Sequence, residues 1–386
     1  MRTELSSRER LLGAIDGRDV DHVPFWNLWR NGDVPFRYSD QVERAEAVLA
    51  LGLDDTLLLQ PPLNKTEHYD AGRAPGISSR VWREKRPGEP YPLLVKEYAT
   101  PAGALRQVVR RTEDWPYGEE VRLFSDHNVS RSIEFPVAGE ADLARLCYIL
   151  SDPSAEQLAA FRAEAAHLRA QARRLGCLLE GGWTALGDAA LWLLGTERLL
   201  YLQLDEPAFV ERLLDVVLEW ELRRQALLLE EGVEAVVHSA WYETTDFWTP
   251  AAYRRLLKPR LAQLVAAAHE AGARFNCIVT TSWQALAQDF LDLGFDSLVG
   301  VDPVQGKSDL RWAKQTLGGR MCLWGGLNAA VTLSQGSGEE IRAATAEAIE
   351  ALAPGGRFVL YAVDQLGPDL PWCSFATALD VWRQLG

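Results

Sequence analysis

Tryptophan and carboxylate side chains recur in this sequence where apolar segments end. The stretches 177–183 (CLLEGGW), 236–243 (VVHSAWYE) and 321–324 (MCLW) each join an apolar run to a ring or an acid. The face of an aromatic ring attracts cations and a carboxylate adds charge, so this combination suits a cationic or methylated-onium ligand. Rings also suit a flat aromatic or pterin-like ligand through stacking. We therefore predict a small-molecule site built from these segments.

The rings of this site are expected to come from tryptophans near the ends of predicted strands. A single tryptophan is more often a large core residue than a ligand contact. Several tryptophans at one rim favour a pocket more strongly than any one of them does. The predicted substrate-binding rings are Trp26, Trp183, Trp241, Trp283 and Trp324.

Three carboxylates are candidate catalytic groups that would orient a substrate or manage a proton. Glu180 lies inside an apolar run, where a charge is costly unless it has a partner or a task. Catalysis and a structural salt bridge are about equally good interpretations of it. Glu243 is also a candidate cap for the following helix. Asp364 is expected either to bind substrate or to hold Gln365 and Tyr361 in place.

Four other polar residues complete the predicted substrate site. His238 lies in an apolar strand, where a satisfied core histidine is more common than a base. Asp246 is alternatively a residue that precedes the next helix. Asp302 is alternatively a turn residue. Asn328 follows a glycine pair, at which the strand 321–324 is predicted to end.

Composition excludes some classes of function. The net charge of the 386-residue chain is −14, whereas nucleic-acid and anionic-membrane surfaces need clustered Lys and Arg. The five cysteines are scattered without a CxxC pair, which predicts a reduced, cytoplasmic protein. No apolar run reaches the roughly 18 residues of a membrane span. The charged opening MRTELSSRER predicts no signal peptide.

Strand-like apolar runs alternate with amphipathic helices along most of the chain. This alternation predicts a parallel sheet, and eight runs predict an α/β fold of the (β/α)8 TIM barrel type as a single domain over 1–386. Alternating apolar residues at 63–135 predict a small antiparallel β insert after the second strand. A doubly wound open sheet is the alternative, but no GxGxxG or GxxxxGK[ST] follows a strand. The eight runs lie near residues 23, 56, 177, 235, 274, 297, 321 and 358.

The order of several motifs resembles the uroporphyrinogen decarboxylase (URO-D) superfamily. The resemblance begins with SSRERLLGAIDGRDVDHVPF at 6–25 and YATPAGALRQVV at 98–109. It continues with WTPAAYRRLLKPRLAQLVAAAHEAGARF at 248–275, then FLDLGFDSL, DPVQG and LWGGLN. It covers nearly the whole chain and implies a (β/α)8 barrel. Members are porphyrin decarboxylases or methyltransferases that work with a corrinoid.

The metal ligands of the family's thiol-activating methyltransferases do not transfer to this chain. The resemblance places their His-x-Cys pair on Ile278 and Thr280, and their later Cys near Val363. Zinc needs three or four converging N, S or O ligands, so the resemblance implies no zinc site here. Cys277 and Cys373 are interpreted as structural cysteines rather than replacement ligands.

The decarboxylase pattern is also degraded. Arg30 and Arg37 stand where the decarboxylases grip substrate carboxylates, but Asp33 lies between them. The late histidine of the family is replaced by Val363 or Asp364. A net charge of −14 disfavours a polyanionic porphyrin.

We therefore expect a zinc-independent methyltransferase acting with a corrinoid (cobalamin), free or on a separate corrinoid protein, on a small methylated substrate. A methylated nitrogen needs no metal-activated thiolate, which agrees with the lost ligands. One alternative is a decarboxylase or lyase that binds an acid through Arg30 and Arg37. Another is a non-catalytic barrel, because fold does not guarantee chemistry. The resemblance also makes a homodimer an expected assembly.

Overall fold

Strands and helices alternate along the chain in the computed structural model, which describes residues 4–29, 38–62, 76–366 and 370–386. The strands are β1 Leu28–Trp29, β2 Thr56–Leu59, β3 Ser78–Glu84, β4 Leu93–Thr100, β5 Gly103–Arg110, β6 Ser132–Glu134, β7 Leu178–Ala185, β8 Ala235–Ser239, β9 Arg274–Ile278, β10 Ser297–Val301, β11 Cys322–Asn328, β12 Phe358–Val363 and β13 Gln365–Leu366. Most of them lie within a few residues of the predicted runs.

The helices follow the predicted amphipathic segments closely. Capping boxes begin three of them, at Ser6, Ser154 and Ser337. The helices are α1 Ser7–Asp16, α2 Gln41–Ala50, α3 Asp126–Val129, α4 Glu140–Ile149, α5 Ala155–Leu175, α6 Gly187–Leu194, α7 Thr196–Asp205, α8 Pro207–Glu230, α9 Pro250–Ala252, α10 Lys258–Glu270, α11 Ala287–Leu293, α12 Leu310–Leu317, α13 Gly338–Leu352 and α14 Trp372–Leu385, with π-helical turns at Tyr253–Leu257 and Ala329–Leu333 and a 3-10 turn at Gln284–Leu286. Within the described ranges, no helix is long and apolar enough to cross a membrane.

A parallel sheet of seven strands, in the order β12-β11-β10-β9-β8-β7-β2, forms the centre of the molecule. The predicted α/β class is therefore confirmed. The predicted first strand differs, because its segment makes single bridges from Phe25 to Leu360 and from Trp26 to Asp54, one at each edge of the sheet. Pro24 has no N–H to donate, which limits a regular ladder there. The short β1 pairs with β13 instead.

The predicted antiparallel insert is present as the four-stranded sheet β3-β4-β5-β6. Its centre is the β4–β5 hairpin, in which Leu93 pairs with Arg110 and Thr100 with Gly103. Residues 63–75 of the predicted insert lie outside the described part of the chain.

Helix α1 closes the amino-terminal end of the curled sheet. Its buried Leu11, Leu12 and Ile15 pack with Leu178 and Val359, which lie at the beginning of β7 and β12. Burial of apolar surface of this kind is the main stabilising term in folding. The interior of the sheet is therefore sealed at this end.

One strand, β11, continues through a glycine pair at which we expected it to end. β11 runs past Trp324 through Gly325 and Gly326 to Asn328. A Cβ on Gly325 would lie 2.3 Å from the carbonyl oxygen of Val301, so glycine is needed for the close approach of β10 and β11. The pair permits strand contact here rather than a turn.

Candidate functional site

Alternation along the parallel strands directs one set of side chains into the interior of the curled sheet. Glu180, Asn276 and Trp324 are each the third residue of their strand, in β7, β9 and β11. Side chains two residues apart on a strand share a face. All three line one cavity, together with Thr56 and Trp26. We call this space the aromatic cavity.

The aromatic cavity is small. The space open to the centres of water molecules is about 60 Å³, within about 540 Å³ of total empty volume. A single water needs roughly 10–15 Å³ by the first measure. The space as it stands therefore suits a ligand of a few non-hydrogen atoms.

Tryptophan rings form much of the wall. Trp26, Trp183 and Trp324 line the cavity directly. Trp26 meets Trp324 edge-on at 5.4 Å between ring centroids and Tyr361 at 5.2 Å. Trp241 packs on Trp183 at 5.3 Å. Pairs in these orientations add to burial and hold the rings in place.

Glu180 places a carboxylate in this aromatic wall and is 6% exposed. Its Oε1 accepts a hydrogen bond from Asn276 Nδ2 at 3.1 Å, and the Thr56 hydroxyl donates a second one. Burial raises the pKa of Glu180, and the neighbouring charge of Asp55 raises it further. The two hydrogen bonds and the more distant Arg44 only partly oppose this shift in pKa. Among the described residues Glu180 makes no salt bridge.

The cationic side chain at the cavity, Arg44, is already engaged. Its Nε lies 2.9 Å from Asp55 Oδ2, and its Nη2 donates to the Thr56 carbonyl at 2.6 Å. Burial raises the pKa of Asp55, while the charge of Arg44 and its hydrogen bonds oppose the shift. Asp55 therefore neutralises Arg44, and neither supplies a counter-ion for Glu180.

Several buried polar atoms at the cavity have no hydrogen-bond partner within the described part of the chain. They include Asn276 Oδ1, Asn27 Nδ2 and Trp26 Nε1. Asn276 is only 1% exposed. Buried polar groups are nearly always paired, so each exception needs a reason. A bound ligand that forms hydrogen bonds with these atoms would explain why they have no protein partner.

Glu243 and His238 lie elsewhere, between the sheet and its helices. His238 joins the Thr184 hydroxyl, 2.8 Å from Nδ1, to the Glu243 carboxylate, 3.1 Å from Nε2. The other carboxylate oxygen of Glu243 accepts from the N–H groups of Leu186 and Gly187, at 3.2 and 2.6 Å. These N–H groups begin α6, where a carboxylate is stabilising. The contacts of His238 fit its alternative interpretation, a satisfied core histidine. Glu243 does cap a helix, but that helix is α6; the following helix, at Pro250, is capped by Thr249 instead.

Asp188 makes the reciprocal contact from α6 to the segment after β8. It accepts from Ser239 Oγ at 2.7 Å and from the N–H groups of Trp241 and Tyr242 at 3.2 and 2.8 Å. Glu243 and Asp188 therefore tie the ends of β7 and β8 together. Asp188, through the Trp241 N–H, also holds the residue whose ring packs on Trp183.

Asp246 and Trp283 follow the same group of strands but do not line the aromatic cavity. Asp246 is exposed and accepts from Thr281 Oγ1 at 3.0 Å and Ser282 Oγ at 2.7 Å, in a separate polar cleft. Trp283 is fully buried in the core beside Trp312. For Trp283 the interpretation as a core residue fits the structure better than ligand contact.

Asp302 and Asn328 form a buried pair at the ends of β10 and β11. Asn328 Nδ2 donates to Asp302 Oδ2 at 2.8 Å, and Asp302 Oδ1 accepts from the Val304 N–H at 2.8 Å. Asn328 Oδ1 caps the next turn through the Val331 N–H at 2.7 Å. These are turn-forming contacts, as the alternative for Asp302 predicted.

The two remaining predicted residues are Asp364 and Arg30. Asp364 is exposed at the end of β12, and its carbonyl accepts the Tyr361 hydroxyl at 3.1 Å. It holds Tyr361 through the backbone, which is one of its two predicted roles. Arg30, like Arg37, lies outside the described residues.

Sequence reasoning missed Asn276, Thr56 and the Arg44–Asp55 pair as cavity residues. Strand parity gives a signal for Asn276: it lies between Phe275 and Cys277, which face the core, so it faces the opposite side. A polar residue that points inward from a buried strand is costly unless it has a partner or a task, which is the signal that identified Glu180. Arg44 comes from α2 and gives no comparable signal.

Two of the three positions that the resemblance assigns to zinc ligands, Ile278 and Val363, carry apolar side chains, and the third is the half-buried Thr280. Ile278 lines the cavity and packs in the same apolar cluster as Val363. Cys277 is buried on the opposite face of β9, and Cys373 is exposed. In the described ranges no group of three or more His, Cys, Asp or Glu is arranged to hold a metal ion.

Comparison with known proteins places the chain in a family. Residues 124–379, about two thirds of the chain, match the uroporphyrinogen decarboxylase (URO-D) family. The fold is similar to a methyltransferase from Methanosarcina mazei, with a TM-score of 0.60 and 18% identity over 99% of both chains. A weaker similarity, at a TM-score of 0.36 and 16% identity, covers 58% of this chain and 85% of the 3-keto-D-glucoside 4-epimerase YcjR from E. coli. No curated protein matches the sequence. The chain belongs to the uroporphyrinogen decarboxylase family, as its ordered motifs predicted.

Proposed function

We propose that this chain is an enzyme that transfers a methyl group from or to a small methylated cation bound in the aromatic cavity. The observation that carries the proposal is Glu180, a buried carboxylate without a salt bridge among the described residues, in a wall of tryptophan rings. Removing a charge from water costs several kcal/mol unless a partner compensates for it. A bound cation would supply that partner.

The rings and the acid act together on such a ligand. A cation over the face of Trp, the best of the aromatic rings, gains about 0.5–2 kcal/mol, more as water is excluded. Trp26, Trp183 and Trp324 offer apolar surface to methyl groups, and Glu180 offers charge. The family and the fold shared with a methyltransferase support methyl transfer as the reaction.

The decarboxylase alternative finds less support in the described cavity. Sites for drug-sized ligands occupy about 300–1,000 Å³, and the 60 Å³ open to water centres here is far smaller than a tetrapyrrole needs. Arg44 is engaged by Asp55, and the proposed carboxylate-binding residues Arg30 and Arg37 lie outside the described ranges.

The same volume does not fit a corrin ring, so we derive no step through a corrinoid held by this chain. If the methyl acceptor or donor is a corrinoid, a separate protein presents it. Zinc independence is part of the proposal and is supported by the apolar side chains of Ile278 and Val363. Closure into an eight-stranded barrel is also proposed, supported by the bridges of Phe25 and Trp26 to the two edges of the sheet.

The test is incubation of the protein with methylcobalamin and methyl acceptors, and with reduced cobalamin and methyl donors, followed by corrinoid absorbance. The donors are tetramethylammonium, trimethylammonium, an aryl methyl ether and a methylated folate. We expect turnover with the methylated cations and its loss in Glu180→Gln, with Cys373→Ser as an exposed control. No spectral change with any of them would contradict methyl transfer, and cation binding without turnover would favour a non-catalytic barrel.

A further inference from the structure

We infer that Asn276 determines specificity and, with Glu180, selects a methylated ammonium ion that still carries an N–H, such as a protonated tertiary or secondary amine, over a quaternary cation. The inference rests on the proposed function, because it names the class of cation within the same cavity. It adds a residue that the sequence motifs did not single out.

The orientation of the Asn276 amide is set by its neighbour. Its Nδ2 donates to Glu180 Oε1 at 3.1 Å; against the ionised carboxylate that a cation binds, the flipped amide would instead place two oxygen acceptors against each other. Oδ1 is therefore the free acceptor. It is buried in a cavity-lining residue and has no hydrogen-bond partner among the described residues.

The cavity therefore presents two kinds of acceptor to one ligand. Glu180 keeps lone pairs beyond those used by Asn276 and Thr56, and Asn276 keeps Oδ1. A quaternary cation satisfies the charge of Glu180 but has no hydrogen for Oδ1. An N–H-bearing cation satisfies both. Leaving a buried acceptor unpaired is costly, so the site discriminates between the two.

The same acceptors also affect the reactivity of the bound amine in methyl transfer. When the C–N bond of a protonated amine breaks, both bonding electrons stay on nitrogen and a neutral amine leaves. The methyl group goes to a soft two-electron nucleophile, the co-reactant. The deprotonated amine would have to leave as an amide anion, a far poorer leaving group. Acceptors that bind the N–H therefore also keep the substrate in its reactive protonated form.

Calorimetric titration of the full-length protein with trimethylammonium and tetramethylammonium tests this inference at a pH where both are cations. The two probes differ by one methyl group. We expect wild type to bind trimethylammonium about tenfold more tightly, because hydrogen bonds to charged groups are worth more than neutral ones. The N–H cation is also more strongly hydrated, so such a preference cannot come from easier desolvation.

The variant Asn276→Leu replaces the amide by an apolar group of similar size. We expect its preference to fall within about twofold, while tetramethylammonium still binds, and thermal unfolding checks that it folds. Should that variant not fold, Asn276→Ala takes its place, and a series of mono-, di-, tri- and tetramethylammonium on wild type tests the N–H preference by itself. The expected result there is a break in affinity between the tri- and tetramethyl cations.

The outcomes separate the inference from the function on which it rests. Equal or tighter binding of tetramethylammonium to wild type overturns the N–H preference and leaves the cation cavity standing. An undiminished preference in Asn276→Leu overturns the role of Asn276. Failure of every cation to bind overturns the proposed function and the inference together.

Discussion

Two buried glutamates, Glu180 and Glu243, lie on opposite faces of the same sheet and have opposite kinds of partner. Glu243 is 1% exposed and is held by His238 and by the N–H groups that begin α6. Glu180 is 6% exposed and receives side-chain hydrogen bonds from Asn276 and Thr56, in a wall of rings. Burial alone does not separate a structural carboxylate from a candidate functional one. The charge of the surroundings does.

The difference is one of compensation. The amino terminus of a helix carries a partial positive charge that stabilises an anion, so the charge of Glu243 is used by the fold. The cavity gives Glu180 hydrogen bonds but no salt bridge within the described ranges, and its pKa is raised because it is desolvated. Ionisation of Glu180 contributes little to the stability of the fold. It would contribute to the binding of a cationic ligand.

The largest expected effect is on stability. Glu243→Ala leaves two helix N–H groups and the His238 ring without their acceptor, so we expect a loss of about 3 kcal/mol in the free energy of unfolding. Glu180→Gln removes a desolvated acid and is expected to change it by about 1 kcal/mol or less, in either direction. Urea unfolding of both variants measures the difference. Equal losses would remove the distinction between the two residues.

The next effect is on affinity. Glu180→Gln should weaken binding of a methylated ammonium ion by about 10- to 100-fold, because a charged acceptor is lost from a buried site. Glu243→Gln keeps the size of the side chain and should leave affinity within about threefold, since Glu243 does not line the cavity. Calorimetry on both variants decides. A larger loss of affinity in Glu243→Gln would reverse the assignment.

The third effect is a pH dependence of affinity. Tetramethylammonium has no titratable proton, so a change in its affinity reports on the protein alone. The pKa of Glu180 is raised by burial in the free protein, and the cation binds the ionised carboxylate. Affinity should therefore rise with pH up to that raised pKa, by at most about tenfold per pH unit, and then level off.

The matched control for this dependence is Glu180→Gln, in which the affinity should be nearly independent of pH. Protons released on binding, measured as a dependence of the heat on buffer, should disappear in the same variant. An affinity that falls as pH rises in wild type would contradict a carboxylate as the binding group.

The smallest effect comes from a single ring. Trp183→Leu should weaken cation binding by about two- to fivefold, because one ring face is worth roughly 0.5–1 kcal/mol at a partly exposed site. Trp283→Leu is the control: Trp283 is fully buried in the core away from the cavity. It should lower the melting temperature without changing affinity. A loss of affinity in the control alone would show that the two rings have been assigned to the wrong roles.

Much of the fold could be predicted from the sequence, because its periodicities are local. Amphipathic helices with capping boxes and apolar strand runs lie close to the predicted segments. The glycine pair after Trp324 was interpreted wrongly as the end of a strand, because the neighbouring carbonyl of Val301 that demands glycine is distant in sequence. In the predicted first strand, Phe25 and Trp26 form single bridges rather than a ladder, and the proline that limits pairing there, Pro24, is visible in the sequence.

The site was predictable only in part. Glu180, Trp26, Trp183 and Trp324 were found from a costly acid and from rings at strand ends, and they share one cavity. His238 met the same criteria but lies on the other face of β8, because residue type alone does not give strand parity. Glu243 follows β8 in a turn and joins His238 on that side. Asn276 was missed for the same reason. Arg44 reaches the cavity from a helix, and only the tertiary structure shows that.

The most direct test of the central claim is a crystal structure of the protein with bound trimethylammonium. The account predicts the cation inside the aromatic cavity, within hydrogen-bonding distance of Glu180 and against the rings of Trp26, Trp183 and Trp324. Binding instead at the exposed carboxylates of Asp246 or Asp364, with none in the cavity, would contradict it.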